Sequence, residues 1–203
     1  MDRTLSYYEN NAAEFVSGTV NVDFSAVADR FAAGLPAGSL ILDFGCGSGR
    51  DTAYFLSRGF RVEAVDGSLA LCRAASNYTG IPVRCLRFQE LDEREKYDGI
   101  WACASILHVA KRELPDVFRR MLAALRPGGL LYTSFKYGDF EGERNGRYFS
   151  DFTEKELVSF LAAFPALKVT DEWISRDVRP GRGEERWLNV IMEKRIDING
   201  GEK

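Results

Sequence analysis

The stretch Leu40-Ile41-Leu42-Asp43-Phe44-Gly45-Cys46-Gly47-Ser48-Gly49-Arg50-Asp51 decides the fold. Leu40 to Leu42 is a short apolar run, as a strand buried on both faces requires, and Asp43 is expected to end it. Gly45, Gly47 and Gly49 recur at every second position. Helical spacing begins near Asp51, with Ala53, Phe55 and Leu56 expected inward. The order is strand, glycine turn, helix. Glycines in such a turn let main-chain N–H groups approach a ligand with no Cβ in the way. The spacing departs from the dinucleotide fingerprint G-x-G-x-x-G, because Arg50 stands in the third glycine's place.

After the helix, Gly59-FRVEAV-Asp66-GS reads as a second strand carrying Asp66 at its carboxyl end. In a strand–helix–strand unit both strand ends open on one crevice, where a carboxylate can accept hydrogen bonds from ribose hydroxyls. The competing reading is an N-terminal helix residue before Ser68.

The loop D-x-G-x-G-x-G at 43–49 resembles motif I of the class I S-adenosylmethionine (SAM)-dependent methyltransferases. Asp66, the Tyr97-Asp98 pair ahead of a fourth strand and Arg126-Pro-Gly-Gly129 ahead of a fifth extend the resemblance over almost the whole chain. It implies an α/β fold: a Rossmann-like, doubly wound, seven-stranded and mostly parallel sheet. An antiparallel hairpin stands at one edge, and helices cover both faces. It also implies a single domain over 1–203, with a helical lid at 1–35, the core at 36–195 and a polar tail at 196–203. The cofactor implied is SAM, with S-adenosylhomocysteine as product, held by Asp43, Gly45, Cys46, Gly47, Gly49, Asp66 and Gly67. Phe88 and Gln89, just past the third strand, would lie beside the adenine, and Cys103 with Ala104 and Ser105 beside the reactive methyl. A core Phe88 and a solvated Gln89 are the plainer alternative.

Composition narrows the classes. Net charge is −3 and the pI about 5.4, which argues against a nucleic-acid surface as the main business. No apolar run approaches membrane-spanning length, and Met1-Asp2-Arg3-Thr4 is no signal peptide. Cys46, Cys72, Cys85 and Cys103 contain no C-x-x-C pair, so neither a metal nor a disulfide framework is expected, and reduced thiols suit a cytoplasmic protein. A monomer or homodimer is expected.

The rest of the chain supplies the elements. Residues 5–16 and 22–34 read as helices ahead of the loop, and the resemblance lays the first over the cofactor as a lid. Tyr7 and Tyr8 are then candidates to touch cofactor or acceptor, or else they pack the lid down. Residues 68–77 read as a helix, 83–88 as the third strand and 97–105 as the fourth. Residues 113–125 form an amphipathic helix and 130–135 the fifth strand. Residues 153–164 form a helix opened by a Thr153/Glu156 capping box. His108, the only histidine, is a candidate general base, with a backbone-bonded structural histidine as the alternative.

Two loops carry cations and aromatics: 136–149, after the fifth strand, and 175–186, between strands expected near 168–174 and 186–192. Arginine suits bidentate binding of carboxylate or phosphate. The expected substrate contacts are Lys136, Arg144, Arg147, Tyr148, Arg179, Arg182 and Trp187. The competing reading pairs these cations with Asp139, Glu141, Glu143, Glu184 and Glu185. The function expected is methyl transfer to a small acceptor, anionic or heterocyclic. The short format resembles small-molecule methyltransferases, including the tellurite-resistance type with its oxyanion acceptor. Ala104-Ser-Ile-Leu107 stands where amino-methylating enzymes of DNA carry Asn/Asp-Pro-Pro-Tyr/Phe, which disfavours that class. A tRNA-modifying enzyme, a SAM-binding protein without transfer activity and a nicotinamide-dependent oxidoreductase are the alternatives.

Overall fold

The computed structural model describes residues 3–179 and 181–196. Three short helices lead in: α1 (Arg3–Asn10), α2 (Ala12–Thr19) and α3 (Ser25–Ala32). There follow β1 (Leu40–Phe44), α4 (Arg50–Ser57), β2 (Arg61–Asp66), α5 (Leu69–Thr79), β3 (Val83–Cys85), β4 (Tyr97–Ala102), α6 (Leu114–Ala124) and β5 (Leu125–Lys136). The chain ends with β6 (Glu141–Arg144), β7 (Arg147–Ser150), α7 (Glu154–Leu161), β8 (Leu167–Arg176) and β9 (Arg186–Lys194).

The seven-stranded sheet has the order β3-β2-β1-β4-β5-β9-β8. Strands β1 to β5 pair in parallel, and β9 runs antiparallel to both β5 and β8. The expected architecture is therefore the observed one. After β1 the chain builds outward through β2 and β3, then returns to β4 on the other side of β1. That reversal opens a crevice above the carboxyl ends of β1 and β4.

Both sheet faces are covered, which explains the near-continuous apolar strands. Side chains alternate between faces along a strand. Leu42, Ile100 and Leu131 therefore join Phe118, Met121 and Leu157 in one buried cluster. Ile41, Trp101 and Tyr132 join Phe31 and Phe55 in another. Trp101 and Tyr132 stack with centroids 4.0 Å apart and planes 17° from parallel.

Five local expectations shift. The helix expected at 5–16 breaks at Asn11, whose side-chain amide (2.8 Å) shares the Tyr7 carbonyl with its own main-chain N–H (3.0 Å). Asp43 does not end β1; it is buried within it, with Phe44 as the last residue. The third strand stops at Cys85, and Phe88–Glu90 forms a 3-10 turn held by the Glu90 carboxylate on the Arg87 N–H (2.8 Å). Strand β5 starts at Leu125, because Leu125 already pairs with Tyr97 before the Arg126–Gly129 turn. The 136–149 segment is not an open loop but folds as the β6–β7 hairpin. The expected polar tail, apart from Ile196, lies outside the described residues.

Candidate active site

A cavity of about 500 Å³ occupies the crevice. Its floor is the β1–α4 turn. Gly45 has φ +91°, and a Cβ there would lie 2.5 Å from the Ser105 Cβ, so only glycine lets this turn meet the end of β4. Ser105 uses that approach to donate its hydroxyl to the Phe44 carbonyl (2.6 Å). Beside it Ala104 adopts a left-handed φ of +48°, its N–H held by the Ser134 hydroxyl (2.9 Å). A non-glycine residue in that region is strained, and the strain turns the chain away at the cavity wall.

Asp66 closes β2 at the cavity. Oδ2 accepts the Gly47 N–H and Oδ1 the Ser68 N–H, both at 2.9 Å. Burial pushes its pKa up, and these N–H bonds oppose the shift. Ser68, not Asp66, is the side-chain cap of α5, accepting the Leu71 N–H (3.3 Å). Each Asp66 oxygen keeps a further lone-pair site, enough for a ribose diol. Phe88 and Gln89 line the same end of the cavity.

A charged wall adjoins this end, and of its members only Asp43 was expected from sequence at the site. Arg50 grips Asp51 with two bonds (2.7 and 2.9 Å), and the Trp101 indole N–H donates to the same carboxylate (2.9 Å). Asp43 accepts the Thr52 hydroxyl at 2.6 Å. Burial, then the neighbouring Asp51, pushes the Asp43 pKa up. Asp43, Arg50 and Asp51 all line the cavity, so both charge signs face it, which suits an aminocarboxylate zwitterion. The signal was present: Arg50 and Asp51 follow the glycine turn directly.

His108 lies between α1 and the β6–β7 hairpin. Its Nδ1 is 2.6 Å from the Tyr148 carbonyl oxygen, an acceptor only, so Nδ1 carries the proton. Nε2 then accepts from the Tyr8 hydroxyl at 2.8 Å. His108 thus bonds backbone, as the structural alternative expects, and it also lines the cavity. Arg147 reaches the Tyr8 oxygen from the other side, at 3.4 Å. Glu9, beside Tyr8, accepts the Ser68 hydroxyl (2.7 Å) and the Ala70 N–H (3.1 Å), tying α1 to the start of α5.

Of the residues expected to hold the cofactor, Gly49 alone does not line the cavity. It caps α4 at φ +81°, and a Cβ would strike Thr79 at 2.9 Å, so its job is packing α4 on α5. Among expected substrate contacts, Tyr7 and Arg144 also lie away from it. Tyr7 stacks under Arg147 (4.6 Å). Arg144 Nη2 donates to both carboxylate oxygens of the buried Asp151 (2.8 and 2.9 Å). The others line the cavity, but most are paired: Lys136 and Arg182 with Glu185, and Arg179 with Asp177, which also accepts the Trp187 indole N–H (3.1 Å). Burial lowers the Lys136 pKa to about 8. Among the described residues no His/Cys/Asp/Glu group suits a metal, and no helix is long and apolar enough to cross a membrane.

A protein-family model described as a methyltransferase domain matches residues 41–129, the segment that holds the glycine turn and Asp66. A ubiquinone biosynthesis O-methyltransferase of Bradyrhizobium sp. (strain ORS 278) is 33% identical over 103 residues, 48% of this chain. That match spans 40% of the relative's own length. The crystal structure of Burkholderia thailandensis 1,6-didemethyltoxoflavin-N1-methyltransferase, with bound 1,6-didemethyltoxoflavin and S-adenosylhomocysteine, is similar at a TM-score of 0.73 and 26% identity. The alignment covers 95% of this chain and 85% of that one. N-methyltransferase NodS from Bradyrhizobium japonicum WM9, solved with S-adenosylhomocysteine, shares the fold at a TM-score of 0.68 and 15% identity, with 92% and 97% of the two chains covered. The β3-β2-β1-β4-β5-β9-β8 sheet, the cavity floored by the glycine turn and walled by Asp66, the methyltransferase-domain match over 41–129 and the S-adenosylhomocysteine-bound neighbour together support a class I SAM-dependent methyltransferase with SAM as cofactor.

Proposed function

We propose that the protein transfers a methyl group from SAM to a small-molecule acceptor by in-line displacement. The observation that carries this reading is one continuous cavity with two differently built ends. The end at Gly45, Gly47, Asp66, Phe88 and Gln89 offers a carboxylate for a ribose and an aromatic face for a base. The end at Tyr8, His108, Arg147 and Tyr148 offers a hydroxyl, a ring nitrogen and a cation. The names of the relatives, an O-methyltransferase for ubiquinone synthesis and a toxoflavin N1-methyltransferase, support a small acceptor.

The SAM sulfonium supplies an already activated methyl group. The protein's task is to align donor and acceptor and to exclude water. Asp66 would fix the ribose, the Asp43–Arg50–Asp51 wall the zwitterionic tail, and Ala104 and Ser105 leave room beside the methyl. His108 serves as base. Its fixed tautomer directs a lone pair at the Tyr8 hydroxyl, so an acceptor proton passes to the Tyr8 oxygen as Tyr8 gives its own to Nε2. The single-domain organisation, with residues 1–35 as lid, fits the way α1 bridges Ser68 and His108.

Calorimetry with S-adenosylhomocysteine tests the donor end. Wild-type protein is expected to bind it, and Asp66→Ala to weaken it roughly tenfold or more, the worth of hydrogen bonds to a charged group. Binding unaffected by Asp66→Ala would overturn the assignment. Release of S-adenosylhomocysteine from SAM with a panel of small hydroxyl and ring-nitrogen acceptors tests the transfer itself.

A further inference from the structure

Arg147 differs from the other cations around the acceptor end. Arg3, Lys136, Arg144, Arg179 and Arg182 each pair with a carboxylate, and Arg87 and Arg176, which line the cavity without an ion pair, are exposed to solvent where Arg147 is half-buried. Among the described residues no carboxylate lies within 4.0 Å of the Arg147 guanidinium, and its buried Nε has no hydrogen-bond partner. Aromatic faces surround it instead: Tyr7 at 4.6 Å, Phe149 at 5.3 Å and Tyr8 at 5.8 Å from the guanidinium carbon. Such faces attract a cation but carry no net charge to neutralise it. A half-buried arginine with no counter-ion is costly to keep, and an anion supplied from the cavity removes that cost.

Resting on the methyl-transfer reading, we infer that Arg147 is the recognition point for a carboxylate on the acceptor, and that the acceptor is a compact acid with its nucleophile within a few bonds of that carboxylate. The second half follows from the contacts. Arg147 Nη1 lies 3.4 Å from the Tyr8 oxygen, which lies 2.8 Å from His108 Nε2. An acid docked on the guanidinium brings its neighbouring hydroxyl or ring N–H to the Tyr8–His108 pair. The planar guanidinium fits the two carboxylate oxygens, and the Tyr7 and Phe149 rings hold its plane. The paired arginines are poor competitors for the same anion, because each would first have to release its own carboxylate.

The test is calorimetric, on protein saturated with S-adenosylhomocysteine. The probes are benzoate, 2-hydroxybenzoate, 2-hydroxypropanoate and the matching neutral amides. At least one acid is expected to bind roughly tenfold or more tighter than its amide. Arg147→Met should abolish that preference, and Arg147→Lys, which keeps charge without the fork, should retain part of it. S-adenosylhomocysteine affinity and thermal midpoint should stay near wild type in the lysine variant, which guards against a folding defect. If no acid outbinds its amide, or if the preference survives Arg147→Met, the assignment falls. Failure of the wild type to bind S-adenosylhomocysteine would overturn the underlying methyl-transfer reading, and it is read separately in the same instrument.

Discussion

The Tyr8 hydroxyl donates to His108 Nε2 across 2.8 Å, joining two residues one hundred positions apart. One belongs to the first helix and the other to the turn after β4, so the acceptor end of the cavity is complete only when α1 is seated. Burial raises the Tyr8 pKa, and Arg147 opposes the rise, so the phenol keeps its proton at neutral pH.

Removing the hydroxyl should therefore separate acceptors by acidity. Tyr8→Phe is expected to lower kcat roughly tenfold to a hundredfold on acceptors that carry a proton on the nucleophile, with His108→Ala costing at least as much. On acceptors already ionised at the assay pH the change should stay within about threefold. Steady-state kinetics with acceptors of graded acidity measure this; equal losses on both kinds would exclude the relay.

Glu9 predicts how α1 is held. Its carboxylate caps the first turn of α5, and the Ser68 hydroxyl followed by the Ala70 N–H lowers its pKa. The group is exposed, so Glu9→Ala should cost less than about 1 kcal/mol of global stability. The local effect should be larger: faster amide exchange in α1 and S-adenosylhomocysteine affinity reduced about threefold to tenfold. A folded-state pKa below 4.5 means this tie is intact above pH 4.5 and lost as pH falls further. Exchange in α1 unchanged by the substitution would show that other contacts seat the helix.

Arg144 is expected to matter for stability rather than for the acceptor. Arg144→Met leaves Asp151, 3% exposed, without its cationic partner and should cost about 2–4 kcal/mol. Adding Asp151→Asn should recover part of the loss. Chemical denaturation of the single and double variants checks this, and a single variant as stable as wild type would contradict it.

Asp43 gives a pH signature. Burial and Asp51 raise its folded-state pKa above the ordinary value of 3.8. A raised acid binds more protons folded than unfolded, so stability contributed by this group is full below pH 3.8 and declines as pH climbs toward about 8. Asp43→Asn should flatten that part of the stability-versus-pH curve, measured by denaturant midpoints from about pH 5 to about pH 8. An unchanged slope would mean that other groups carry it.

Much of the fold was legible because it is written locally. The β1 run, the three glycines, Asp66 and the Thr153/Glu156 capping box each act on residues a few positions away, and the structure shows that capping box formed. Gly49 belonged visibly to the turn, but its neighbour Thr79 on α5 could not be seen from the turn, and that contact turns a ligand glycine into a packing one. Arg144 and Arg147 illustrate the same limit at the acceptor end. They have the same side chain and stand opposite each other across β6–β7, yet Arg144 faces Asp151 and Arg147 faces aromatic rings and the cavity.

The sequence by itself determined the alternation of strands and helices, the glycine turn and the acidic end of β2, because steric freedom and hydrophobic period are properties of short segments. Only the tertiary structure decided which cations are neutralised, which residue of α1 reaches His108 and which histidine nitrogen accepts the Tyr8 hydroxyl. Those depend on distances of a few ångströms between segments far apart in the chain, and electrostatic and hydrogen-bond energies change sharply over that range.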